Sequence, residues 1–189
     1  MNSDHLTAIG FVSLFFAGLF YWMANWYPLM LLAVIVCLAL NWFGDSLDGT
    51  LARVRNRQRP RYGFYVDHVL DAFGIVFLIF GMALSGFLTL SVAFFFLIAY
   101  LLLSIEIYLA TYTLGKFHLS HWRFGPTELR ILLAIGNLAV LRSPYATIAG
   151  HKFLLFDVGF AIGTAALAVI VVQAAVKHTV QLYREEALN

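Results

Sequence analysis

Charge is what this sequence has least of. Only 12% of its 189 residues are Asp, Glu, Lys or Arg, where a soluble domain carries about 25%. None falls between Leu6 and Gly44, and none between Ile75 and Ser104. A helix needs about 20 apolar residues to cross the hydrocarbon of a bilayer, so each stretch accommodates one span and most of a second. With 62% hydrophobic residues, the chain has too little polar surface to coat a soluble core. Cysteine is nearly absent as well. Cys37 is the single one, which excludes an intrachain disulfide and reads as a small buried apolar residue. The first residues carry no Lys or Arg ahead of the apolar run, so a cleaved secretory signal is not expected.

What remains is an all-α reading: a polytopic helical bundle of six transmembrane helices, with residues 1–189 forming one transmembrane domain. Expected spans run from about Thr7 to Trp22, to about Phe43, from Phe64 to Phe80, to about Thr113, from Thr127 to Leu141, and from Val158 to Val176. Trp22, Trp26 and Tyr27 suit a membrane–water interface. Between the spans, 44–63, 115–126 and 142–152 read as loops, and 177–189 as a polar tail. Pro126 is suited to opening the fifth helix, since its missing N–H is not needed there.

The little charge present is unevenly placed. Five of the twelve basic residues form one run, Arg53, Arg55, Arg57, Arg59 and Arg61. Between two membrane segments such a run marks the cytoplasmic face and meets anionic lipid or phosphorylated substrate, not nucleic acid. An even number of spans puts both termini and the arginine run on that side, in what reads as a bacterial plasma membrane.

Four of the ten acidic residues, Asp45, Asp48, Asp67 and Asp71, fall within one short stretch. Spacings of three and four put each pair on one helical face. One pair ends the second span and the other begins the third, so antiparallel packing brings four carboxylates together near the interface. Carboxylates so crowded repel one another unless something compensates. Hard cations such as Mg²⁺ and Mn²⁺ take oxygen ligands, and no cysteine or histidine set suggests zinc. The structural alternative pairs the aspartates with Arg53 and its neighbours. Gly49, Gly63 and Ala52 would leave room for a ligand, and the Arg53 guanidinium suits a diphosphate. His68 points off the shared face.

These residues compose D-x2-D-G-x2-A-R-x9-G-x3-D-x3-D, which resembles the signature of the CDP-alcohol phosphatidyltransferase family. Asp45, Asp48, Gly49, Ala52, Arg53, Gly63, Asp67 and Asp71 fill every defined position. The resemblance implies transfer of a phosphatidyl or related group from a CDP-linked donor to an alcohol, with release of CMP. It implies two divalent ions, Mg²⁺ or Mn²⁺, on Asp45, Asp48, Asp67 and Asp71, with Asp71 also the general base. Nucleotide contacts would come from Asp48, Gly49, Ala52, Arg53 and Gly63. Membrane lipids, the CDP-linked donor and the alcohol acceptor are the implied partners, with homodimerisation a family expectation. CDP-diacylglycerol is the favoured donor and direct displacement the favoured course. A soluble CDP-alcohol donating to a lipid hydroxyl is the alternative. Several relatives carry an amphipathic helix before the first span, for which this chain has hardly room.

Other positions are less committed. Glu106, expected in the inner part of the fourth span, is either part of an acceptor pocket or a packing contact with Arg130 or a hydroxyl. Glu128 and Arg130 either shape the acceptor pocket or cap and anchor the fifth helix. Arg57 and Arg61 either recognise a phosphorylated acceptor or simply follow the positive-inside bias. His118 and His121 lack a third ligand and read as interfacial, and Asp157 as a helix-start residue. A divalent-cation transporter would instead place carboxylates near midplane, and a membrane prenyltransferase would repeat its aspartate-rich motifs.

Overall fold

The computed structural model describes residues 2–115 and 126–186, and they are mostly helical. Six helices run α1 Ser3–Ala24, α2 Met30–Val54, α3 Pro60–Leu84, α4 Leu90–Leu114, α5 Pro126–Arg142 and α6 Leu155–Glu185, with β1 Tyr145–Ile148 and β2 His151–Leu154 between the last two. Five of the six are long and apolar enough to cross a membrane. The exception is α5, whose 17 residues reach roughly 25 Å at 1.5 Å per residue, short of the roughly 30 Å hydrocarbon core. Large apolar side chains stand exposed around the bundle, Phe94 at 58%, Leu109 at 60% and Val169 at 55%. Outward apolar surface on this scale requires lipid, not water, and identifies an integral membrane protein.

The helices end where local chemistry ends them. Pro60 and Pro126 open α3 and α5, and Gly115, with φ of 64°, closes α4 in the left-handed conformation that glycine tolerates best. Thr89 stands at the N-cap position of α4, and both its N–H and its hydroxyl donate to Asp157 in the first turn of α6. Asp157 therefore ties the starts of two helices that pack along each other.

Three sequence expectations are corrected. The segment 44–63 is not a loop: α2 continues to Val54 and α3 starts at Pro60, leaving a turn of five residues. The polar tail is helical to Glu185 as part of α6. In both places charged residues interrupt the hydropathy signal without interrupting backbone hydrogen bonding. The stretch 142–152 also carries order, since Tyr145–Ile148 pairs antiparallel with His151–Leu154 in register Ile148 to His151. Positive φ at Ala149 and Gly150 gives the two-residue connection that matches strand twist.

Packing centres on α1, which lies against both α2 and α3, while those two scarcely touch each other. Glycine makes this close approach feasible. A Cβ on Gly44 would stand 2.6 Å from the Leu6 carbonyl oxygen and 2.9 Å from the Gly10 nitrogen. On the other side, Gly18 and Gly81 meet backbone to backbone, and a side chain on either would collide with the opposing helix. Small residues serve this purpose in membranes, where helix association depends on close packing. The buried Tyr21 hydroxyl donates to Asn137 Oδ1 at 2.8 Å and fastens α5 to α1.

Candidate active site

Because α2 stays helical through its charged end, Asp45 and Asp48 share one face, and Asn41 lies a turn earlier on that same face. Asp67 and Asp71 occupy the corresponding stretch of α3. With α1 between the two helices, one cavity is lined by all four carboxylates together with Thr7, Gly10 and Asn41. The sequence expectation that both pairs face a common space therefore holds, although α1 intervenes where direct packing of α2 on α3 was anticipated.

Each carboxylate of the α2 pair has a protein partner. Thr7 Oγ1 donates to Asp48 Oδ2 at 2.9 Å, and the Gly49 N–H donates to Asp48 Oδ1. Arg130 of α5 donates to Asp45 Oδ2 at 2.9 Å, with its own side chain only 13% exposed. Arg130 thus belongs to the aspartate cluster and not to a Glu106 pair. The donor set is all oxygen and suits a hard divalent cation in kind. In spacing it is open. Among the described residues no three His, Cys, Asp or Glu side chains stand together as a metal cluster.

The remaining motif positions divide clearly. Gly49 would place a Cβ no nearer than 3.8 Å to Arg53 Nη1, and around Gly63 nothing lies within 4 Å. Neither has positive φ. Neither glycine is thus required by packing or by backbone conformation, unlike Gly44 and Gly81. Ala52 is half-buried one turn beyond Asp48. Arg53 donates to Thr50 Oγ1 at 3.1 Å and is exposed.

Several expected site residues lie away from the cavity lining. Arg57 and Arg61 are exposed, on the turn and in the first turn of α3. Glu128 is exposed in the first turn of α5. Glu106 pairs with His178 Nδ1 at 2.5 Å, both about 15% exposed, so its partner comes from α6 and is neither Arg130 nor a hydroxyl. His68 contacts the Phe64 carbonyl, and its ring lies tilted against Phe64 and edge-on to Tyr108. His118 and His121 lie outside the described residues.

Sequence reasoning missed Thr7, Asn41, Asp4 and His178. Asn41 was legible, since it precedes Asp45 by four residues. The other three act across elements. Asp4 accepts from Arg59 at 2.5 and 2.6 Å, and the Arg59 guanidinium lies 4.2 Å from the Tyr62 ring centroid. That hydrogen bond raises the pKa of Arg59 above its ordinary value and links the start of α1 to the arginine turn.

A profile of the family described as CDP-alcohol phosphatidyltransferase matches residues 4–178. The chain belongs to this family. The match takes in α1, the aspartate-bearing ends of α2 and α3, and α6 as far as His178, so the CDP-alcohol phosphatidyltransferase assignment does not rest on the signature alone. The chain is also similar to the archaetidylinositol phosphate synthase of Pyrococcus horikoshii, with 33% identity over 98 residues. That alignment takes in 52% of this chain and 49% of the relative, so the chain spans about half the length of the curated relative it matches. No solved structure matches.

Proposed function

We propose that this protein transfers a substituted phosphoryl group, of the phosphatidyl type, from a CDP-linked lipid to an alcohol and releases CMP. The observation that carries this reading is the complete signature with its four carboxylates lining one cavity at the charged ends of α2 and α3. Membership of the CDP-alcohol phosphatidyltransferase family supports it. So does the open space at Gly49 and Gly63, which the fold itself does not need.

Asp45, Asp48, Asp67 and Asp71 would hold the divalent ions, Mg²⁺ or Mn²⁺. When bound, these withdraw charge from the diphosphate and stabilise departing CMP. Thr7 and Arg130 fix the orientation of Asp48 and Asp45. Asp71 accepts the acceptor's hydroxyl proton. The freed oxygen attacks the phosphorus bearing the lipid, and the bond from that phosphorus to the oxygen of CMP breaks. The nucleotide lies along α2 and α3 over Gly49, Ala52 and Gly63, with Arg53 turning from Thr50 to the diphosphate. A site at the end of membrane-spanning helices leaves acyl chains in hydrocarbon and the nucleotide in water. We place that site and both termini in the cytoplasm on the bias of Lys and Arg, and take α5, at the short end of the length range for a span, as a sixth crossing.

CDP-diacylglycerol is the donor we favour. The relative's name contains inositol phosphate, and the exposed Arg57 and Arg61, in the segment of chain between the two aspartate pairs, suit a phosphorylated polyol. A phosphorylated inositol is therefore the first acceptor to offer. The test is CMP release by purified protein in lipid micelles with Mg²⁺ or Mn²⁺. CDP-diacylglycerol is offered against a panel of alcohols, then soluble CDP-alcohols against lipid hydroxyls. Release with one donor–acceptor pair, abolished by EDTA and restored by the cation, is the expected outcome. Folded protein that releases no CMP from any pair would contradict the reading.

A further inference from the structure

Beneath the four aspartates lies a polar side chain whose oxygen has no partner. Asn41 is 3% exposed, and its Oδ1 makes no hydrogen bond. Its amide orientation is determined by chemistry. Asn41 Nδ2 donates to the Gly10 carbonyl at 3.0 Å, and a carbonyl oxygen accepts only, so the nitrogen must face α1 and the oxygen must face the other way. Asn41 lines the same cavity as the aspartates. It stands one helical turn from Asp45 on the face that also carries Asp48.

A buried acceptor without a donor is costly in any protein, and more so within a membrane-spanning helix. Asn137, also fully buried, provides the contrast. Its oxygen receives the Tyr21 hydroxyl, and its unpaired atom is the nitrogen donor Nδ2, which a cation repels. At Asn41 the unpaired atom is the acceptor, and the residue lines the cavity of the four carboxylates.

We infer that Asn41 is a positioning residue of the cation site. Its Oδ1 is the neutral acceptor at the inner wall that takes hydrogen bonds from water carried by the bound divalent ion. This rests on the metal reading above and extends it. Divalent ions of this class retain several waters when bound by carboxylates, and those waters need acceptors on the side facing the membrane. An amide supplies such an oxygen without charge.

The test titrates Mn²⁺ into the purified full-length chain in detergent micelles, counting free ion by electron paramagnetic resonance. Thermal unfolding without cation is recorded in parallel. Asn41→Leu keeps the bulk, removes the oxygen, and leaves the Gly10 carbonyl its partner within α1. It is expected to weaken Mn²⁺ binding about tenfold, the usual scale for losing an outer-shell partner. Asn41→Asp, which keeps an outward oxygen but cannot donate to Gly10 when ionised, is expected to retain the wild-type affinity or exceed it. Asn137→Leu is expected to lower thermal stability and leave Mn²⁺ affinity unchanged. Equal affinity in wild type and Asn41→Leu would overturn the inference and leave the metal reading standing. Should Asn41→Leu not fold, weakened binding by Asn41→Asp would overturn it equally. Wild-type protein that binds no Mn²⁺ would overturn the metal reading itself.

Discussion

At the residue scale, the site is a set of acceptors in need of positive charge, and its supporting contacts determine which variants are informative. Thr7 reaches Asp48 from a different helix. Thr7→Val keeps the side chain's shape and removes the only hydroxyl on that carboxylate among the described contacts. It is expected to weaken Mn²⁺ binding and to lower the rate of CMP release by about tenfold, as outer-shell losses do. A titration of metal dependence, with the rate measured at saturating ion, separates the two effects. Arg130→Met leaves Asp45 without its cation. Since breaking a charge pair leaves its partner uncompensated, thermal stability without cation is expected to fall, and added Mn²⁺ to restore more of it than in wild type. Equal stabilisation of both proteins by Mn²⁺ would show that Arg130 and the metal do not share Asp45.

At the element scale, glycines of two kinds make opposite predictions. Gly44 and Gly81 sit where backbones meet α1. Gly44→Ala forces the helices apart and is expected to destabilise by about 1–3 kcal/mol, as overpacking does, seen as a lower unfolding midpoint in micelles. Gly63 has open space around it. Gly63→Ala is expected to leave the midpoint unchanged or raise it, because alanine is the better helix former by about 1 kcal/mol, while raising the KM for the CDP-linked donor. A Gly63→Ala protein with unaltered KM would remove this glycine from the nucleotide site.

This division also explains what the sequence could and could not disclose. Asp45 with Asp48, and Asp67 with Asp71, are local pairs, and spacing along one helix suffices to align them. The wedge of α1 is not local. It depends on Gly10, Gly18, Gly44 and Gly81 matching across helices, and nothing in the spacing of the aspartates announces it. The extents of α2 and α6 exceed what hydropathy marks for another reason. Both run through charged residues, to Val54 and Glu185, where hydropathy falls but helix formation does not. The hairpin at 145–154 turns on Ala149–Gly150, which lacks the usual asparagine or aspartate signal.

At the scale of the whole molecule, two groupings of helices meet. One is α1 with α2 and α3, and α5 against α2; the other is α4 with α6, joined to the first through α3. The four aspartates belong to the first grouping. Glu106 and His178 join α4 to α6 inside the second. A double-mutant cycle of Glu106→Gln and His178→Ala, read as unfolding midpoints, is expected to show coupling of about 0.5–3 kcal/mol. Mn²⁺ affinity should not change in any of the three variants.

The central claim is that the aspartate cavity performs the phosphoryl transfer. Its most direct test compares wild type with Asp71→Asn at saturating Mn²⁺, measuring CMP release from CDP-diacylglycerol and the productive acceptor. Asp71→Asn preserves size and removes the proton acceptor. The claim predicts a fall of at least about 10²-fold in rate, the lower end for losing a general base, in protein that unfolds at the wild-type temperature. Release at the wild-type rate from folded Asp71→Asn would contradict it.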